Sequence, residues 1–205
     1  EMLGMWMIHA YVLRFITGLA FDGALGAHFI AIRVESLSFL PGFAIGTATA
    51  TLVGQYLGAN NPKMALKALR TAWLFALAFM SAIGVFFLLA PEVIVRLILP
   101  ETDAQATQLI AVAGPLVFIC GIFQPALATT IVLKTCLRGA GATRIVMRCS
   151  FTCLILIRVI GITVYDAYFD LTLIKIWTFM SIDLFIQAGL FITIAFRGKG
   201  LETKS

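Results

Sequence analysis

Five charged side chains fall well inside long runs of apolar residues. They are Arg14, Arg33, Glu35, Arg158 and Asp183. A charge in such a run is costly unless it is paired or hydrated, and such residues commonly mark proton or ion pathways. A carboxylate held between desolvation and a nearby arginine can take up and release a proton. We therefore predict that Glu35 or Asp183 exchanges a proton or another cation, with Arg158 as the counter-charge. The structural alternative is a static pair of Arg158 with Asp183 that only fastens two helices.

Three uncharged polar side chains in the same runs are candidates for lining a cavity: His9, Gln124 and Gln187. The two histidines of the chain, His9 and His28, fall in different apolar runs. The sequence has no HExxH motif, no glycine-rich phosphate loop after a strand and no His/Cys ligand cluster. We therefore predict no enzymatic activity, no catalytic residue and no metal site. The four cysteines form no CxxC pair and are interpreted as packing residues.

The composition predicts that lipid surrounds the elements that position these residues. Hydrophobic residues make up 61% of the chain, charged residues make up 12%, and the mean hydropathy is +1.02. Soluble domains are about 45–50% apolar and about 25% charged. The net charge of +5 comes from basic residues at the ends of the apolar runs rather than on one solvated face, so nucleic acid is not the expected partner.

Six apolar runs are long enough to span a bilayer core of about 30 Å. They cover residues 2–20, 24–57, 68–90, 104–133, 145–165 and 171–196. Pro41 in the second run and Pro115 and Pro125 in the fourth predict bent helices, which membranes tolerate because neighbours satisfy the freed carbonyls. The sequence thus predicts an all-α integral membrane protein, a bundle of six transmembrane helices that forms a single domain over residues 1–205.

Charge predicts how the bundle is oriented. One set of alternate loops, with both termini, contains ten basic residues against Glu1 and Glu202. The other set contains six acidic residues against Arg96 and Lys175. Basic loops stay in the cytoplasm. We expect both termini to be cytoplasmic and the protein to lie in the plasma (inner) membrane.

The second run contains small residues at strict four-residue intervals, which form a ridge. The ridge consists of Gly42, Gly46, Ala50, Gly54 and Gly58. Ridges of small residues let helix backbones approach closely in lipid. The pattern predicts a helix-packing seam, and a sliding surface for a conformational change would need the same geometry.

Three segments together resemble the carboxy-terminal half of the MATE (multidrug and toxic compound extrusion) transporters. Residues 31–43 read AIRVESLSFLPGF, residues 52–61 read LVGQYLGANN, and residues 137–143 read LRGAGAT. The similarity extends over roughly residues 15–197. The motif positions that carry it are Gly54, Gln55, Gly58, Arg138, Gly139 and Gly141.

The resemblance implies a twelve-helix protein of two pseudo-symmetric lobes, of which this chain is the carboxy-terminal lobe. Its implied activity is export of small organic compounds against a Na⁺ or H⁺ gradient, with no other cofactor. The implied partners are the lipid bilayer, the organic substrate and the amino-terminal six-helix lobe, which we expect to be missing because the chain begins at Glu1 within an apolar run. A lipid-linked saccharide flippase of the same superfamily is the alternative.

The chain departs from the family pattern at two points. Ala142 stands where relatives usually have aspartate after the Arg-Gly-x-Gly turn. In relatives whose carboxy-terminal lobe binds the coupling cation, acidic residues lie in the first and fourth helices of that lobe. The corresponding runs here contain no carboxylate apart from Glu1. That cation site is therefore not transferred to this chain.

Overall fold

The computed structural model describes residues 2–19, 23–99 and 104–197, and within these ranges every regular element is a helix. We label the helices α1 to α7 in chain order. They are α1 (Met2–Thr17), α2 (Ala24–Gly58), α3 (Pro62–Leu89), α4 (Pro91–Ile98), α5 (Ala104–Gly139), α6 (Thr143–Tyr168) and α7 (Leu173–Phe196).

Five of these helices, α2, α3, α5, α6 and α7, are long and apolar enough to cross a membrane. The apolar helix α1 has 16 residues and is about 24 Å long, somewhat shorter than a bilayer core of about 30 Å. The predicted all-α membrane bundle is thus confirmed. Ala20, the last residue of the first predicted run, lies outside the described residues, as do Glu1 and residues 198–205 at the chain ends.

Two helices extend further than their apolar runs. Helix α3 begins at Pro62 rather than at residue 68, because the Asn61 side chain accepts a hydrogen bond from the Met64 amide at 3.2 Å and caps the helix. Helix α5 continues past residue 133 to Gly139. These extensions carry basic side chains, so the apolar run underestimates the length of the helix.

The short helix α4 was not predicted. It begins at Pro91, has eight residues, and presents Val93 and Leu97 outward while Val95 is buried. Glu92 and Arg96 form an exposed ion pair at 3.9 Å on the same helix. An apolar run interrupted by prolines indicated only a turn here, since eight residues are too few to span a bilayer.

Helix α5 is the centre of the bundle. Most of its side chains are buried, and α2, α3 and α7 pack around it. The core forms two apolar clusters along its length. One includes Leu116 and Trp177, and the other includes Leu69, Leu137 and Phe191. Because α5 contacts so many elements, a side chain on α5 can reach both the α2 side and the α7 side of the lobe.

Candidate functional site

A buried ion pair joins α6 to α7 in the middle of the bundle. The Arg158 Nε–H donates to the Asp183 Oδ2 at 2.7 Å, and the two side chains are 9% and 0% exposed. The Gln187 amide nitrogen donates to the other carboxylate oxygen, Oδ1, at 2.8 Å. Both oxygens of Asp183 are therefore hydrogen-bonded, and this pair matches the static pairing left open by the sequence.

Arg158 lies in an unusual part of its helix. Residues Leu154–Gly161 of α6 form a π-helical segment, with α-helix on both sides. A π-helical segment widens the helix and commonly occurs at functional sites. Nothing in the local sequence distinguishes this segment from ordinary α-helix, so it was not predicted.

Glu35, Arg158 and Asp183 lie at similar distances from the nearby ends of their helices. Along their own helices, Arg158 is about 15 Å from Tyr168 and Asp183 is about 15 Å from Leu173, at about 1.5 Å per residue. Glu35 is about 17 Å from Ala24 along α2. Each of these distances is about half the thickness of a bilayer core of about 30 Å.

A cavity of about 610 Å³ opens between α1, α2, α5, α6 and α7. Glu35, Arg158 and Gln187 line it, together with His9 from α1. Most of the remaining wall is apolar or aromatic and includes Phe39. This volume lies in the range of pockets that hold small organic ligands, about 300–1,000 Å³.

Glu35 and Asp183 have different surroundings. Among the residues described, no hydrogen bond or ion pair forms at the Glu35 carboxylate, although Arg158 is close enough to interact with it electrostatically. Asp183, in contrast, is closed off by Arg158 and Gln187. Of the two predicted carboxylates, Glu35 is therefore the one that faces the cavity without a bonded partner in this part of the chain.

A second polar contact in the wall joins α2 to α7. The Trp177 Nε1–H donates to the His28 Nδ1 at 3.1 Å, and both residues are buried. The rings also pack edge to face, with centroids 5.5 Å apart. Because His28 accepts through Nδ1, its neutral ring carries the hydrogen on Nε2. The partners are 149 residues apart in sequence, and no local pattern could have predicted their contact.

Gln124 is not among the cavity residues, which corrects the prediction made from its polarity. It is fully buried where α3 crosses α5, while its neighbours Phe123 and Leu127 line the cavity. A Cβ added at Gly84 would lie 2.9 Å from the Gln124 Cβ. Within the described part of the chain neither the amide oxygen nor the amide nitrogen of Gln124 has a hydrogen-bond partner.

The ridge of small residues on α2 packs against two different helices. A Cβ at Gly42 would collide with Met80 of α3, whereas a Cβ at Gly46 would lie 3.4 Å from the Thr135 Oγ1 of α5. Around Gly58 nothing among the described residues lies within 4 Å. The ridge is thus close-packed along most of its length but not at Gly58, which is exposed near the end of α2.

The motif around Gly54 and the Arg-Gly-x-Gly motif at residues 138–141 are in contact where α2 packs against α5. A Cβ at Gly139 would lie 2.7 Å from the Ala50 carbonyl oxygen, and one at Gly54 would lie 3.4 Å from the Gly139 carbonyl oxygen. Gly141, two residues further on, has φ +83°, a left-handed conformation that favours glycine. These three motif glycines are therefore explained by close helix contact and a turn. Gln55 is exposed, and Arg138 lines one end of the cavity.

No group of three or more His, Cys, Asp or Glu side chains among the described residues could hold a metal ion. The cavity instead offers one carboxylate, hydroxyl and imidazole groups, the ion-paired Arg158, and the basic side chains of Lys134 and Arg138. Such a set can bind and release a proton or contact an organic molecule.

The amino-acid sequence is similar to those of known proteins. A family model described as MatE matches residues 1–164. The probable multidrug resistance protein NorM of Thermotoga maritima is 34% identical over 190 residues, 92% of this chain and 40% of that protein. The multidrug resistance protein NorM of Burkholderia vietnamiensis is 38% identical over 124 residues, 60% of this chain and 27% of that protein. The probable multidrug resistance protein NorM of Pseudomonas syringae pv. tomato is 29% identical over 182 residues, 86% of this chain and 39% of that protein. The chain thus spans 40% or less of the length of each of these relatives.

Proposed function

Since the chain belongs to the MatE family, we propose that it supplies the carboxy-terminal six-helix lobe of a multidrug efflux transporter. The complete transporter exports small organic compounds and is driven by antiport of Na⁺ or H⁺. The observation that carries this proposal is the similarity over 92% of the chain to a protein named for multidrug resistance. Two six-helix lobes with a binding site near the midplane between them are a common transporter plan.

We further propose that Glu35 is the carboxylate of this lobe that couples transport to the ion gradient. It faces the cavity near the membrane midplane without a bonded partner among the described residues, and Arg158 acts on it electrostatically. Asp183 is the second candidate, but Arg158 and Gln187 already engage both of its oxygens. In this proposal the Arg158–Asp183 pair holds the positive charge at a fixed distance from Glu35.

The cavity supports a proton more than Na⁺ as the ion bound in this lobe. A sodium ion would add another fixed positive charge to a cavity that already contains the basic side chains of Arg158, Lys134 and Arg138. A proton needs only the Glu35 carboxylate.

The proposal is tested with the complete two-lobe transporter in proteoliposomes that carry an imposed proton or sodium gradient. Organic-cation efflux should follow the proton gradient, and Glu35→Gln should abolish this dependence. Glu92→Gln on α4, which removes an exposed carboxylate, serves as the matched control and should leave efflux unchanged. If Glu35→Gln retains the efflux and gradient dependence of the unmodified protein, Glu35 is structural and coupling occurs in the other lobe.

The same vesicles distinguish the alternative function. Transfer of a lipid-linked saccharide across the bilayer, without organic-cation efflux, would identify a flippase instead.

The lobe assignment has its own test, because a transport path between two lobes requires both. Residues 1–205 alone should show no gradient-driven efflux, and efflux by a purified monomer of this chain would overturn the assignment.

A further inference from the structure

The outer surface of α6 has a groove that the efflux proposal does not use. The groove has a volume of about 410 Å³ and is lined by Met147, Arg148, Phe151, Thr152, Ile155 and Leu156. Four of these six side chains are apolar, and Met147, Ile155 and Leu156 are exposed. It is separate from the cavity that contains Glu35.

Basic side chains lie at one end of this groove. Arg144 and Arg148 are both exposed, and their four-residue spacing places them on one face of α6. Arg148 is about 8 Å along the helix from Thr143, where α6 begins. In the ranges that the structure describes, neither guanidinium forms a hydrogen bond or an ion pair. Both charges are thus available to an anion at this end of α6.

The length of the groove matches one leaflet of a bilayer. Met147 and Leu156 are about 14 Å apart along the helix, and half of a bilayer core is about 15 Å. If the anionic group of a lipid bound at Arg144 and Arg148, its acyl chain would therefore contact Phe151 and Ile155. The end of that chain would lie near the midplane of the bilayer. Thr152 adds one hydroxyl to a wall that is otherwise apolar below the arginines.

We infer that this groove binds an anionic phospholipid of the inner leaflet, with the phosphate on Arg144 and Arg148 and one acyl chain along α6. Charge complementarity selects this occupant, since the cytoplasmic leaflet is rich in anionic lipids and basic pockets at that face bind their headgroups. A zwitterionic lipid would fit the groove but would bring no net charge to the two arginines. Phe151 also packs against Gly4 of α1, so an occupant of the groove lies beside the helix that borders the central cavity.

The experiment measures lipid binding to the full chain by native mass spectrometry. Dioleoyl phosphatidylglycerol and dioleoyl phosphatidylcholine are titrated separately into the delipidated protein. The unmodified chain should bind the anionic lipid more tightly. Each basic residue near an anionic surface contributes a factor of about five, so Arg144→Gln with Arg148→Gln should weaken phosphatidylglycerol binding by about 30-fold and leave phosphatidylcholine binding unchanged.

The matched control removes the same charge at the same spacing elsewhere. Lys63→Gln with Lys67→Gln on α3 takes away two exposed cations one helical turn apart, and should change phosphatidylglycerol binding less than twofold. Thr152→Trp fills the groove without altering charge and should weaken phosphatidylglycerol binding as well. If the double arginine variant does not fold, Arg148→Gln alone should show a loss of about fivefold.

Three results would overturn the inference. The first is equal affinity of the unmodified chain for the two lipids. The second is an equal loss of binding in the α3 control, which would mean that the preference is generic surface charge. The third is complete displacement of the lipid by glycerol phosphate, which would identify a site for a free phosphate rather than for a lipid.

Discussion

Replacing Asp183 with asparagine should lower the free energy of unfolding by about 3 kcal/mol. The change removes the negative charge from an ion pair whose side chains are 9% and 0% exposed. Losing one partner of a buried pair costs about 3–5 kcal/mol, because the other charge stays buried without compensation. We expect the lower end of this range, since Glu35 also acts electrostatically on Arg158 and offsets part of the loss.

The measurement is unfolding of the purified chain by sodium dodecyl sulfate in mixed micelles, followed by circular dichroism. Glu92→Gln provides the control, because its pair with Arg96 is exposed and pairs of that kind contribute about 0–1 kcal/mol. Combining Arg158→Gln with Asp183→Asn removes both charges, so the double variant should lose less than the sum of the two single losses. A loss below about 1 kcal/mol for Asp183→Asn, or additive losses in the double variant, would refute the buried-pair argument.

Three further outcomes are expected. Gly46→Leu should prevent stable folding because a branched side chain would push α2 away from Thr135 of α5. The control, Gly189→Leu, should fold normally because a Cβ at Gly189 has nothing within 4 Å among the described residues. Gel filtration compares the two variants. Trp177→Phe should destabilise the chain by about 1–3 kcal/mol in the detergent assay, because it leaves the His28 Nδ1 without its hydrogen-bond donor. Stability equal to that of the unmodified chain would count against the Trp177–His28 hydrogen bond. In a cysteine-depleted chain, a cysteine placed at Asp166 should react with an impermeant maleimide in intact cells and one placed at Lys63 should not; the reverse pattern would invert the proposed orientation.

The membrane spans could be predicted because their signal is local and long. An apolar run of about 20 residues is typical of a membrane-spanning helix and rare in soluble domains, so the five long helices agree with predicted runs. Helix ends were less accurate, since Asn61 and Pro62 cap α3 at a position where the sequence indicated only a turn. The eight residues of α4 carry too short a signal to distinguish a surface helix from a loop.

The candidate site could be predicted only in part. Charged residues within apolar runs could be identified as site candidates because placing a charge in lipid costs free energy. The structure brings two of them, Arg158 and Asp183, together. Pairing of His28 with Trp177 depends on how two distant helices pack, which no local pattern contains. Gln124 was predicted to line the cavity but does not, because polarity alone does not indicate which face of a helix a side chain occupies.

The buried amide of Gln124 is also a position at which a substitution can make the protein more stable for structural work. Both polar atoms of this side chain are without a partner in the described part of the chain, and an unsatisfied buried group costs about 1–3 kcal/mol. Methionine has nearly the same length and shape but no strongly polar atom, and it adapts well to irregular spaces such as the one beside Gly84 and Gly121. Gln124→Met should therefore raise the midpoint of unfolding. Natural proteins retain such unoptimised positions because selection requires only enough stability for function, so this site is a first choice for an engineered, crystallisable variant.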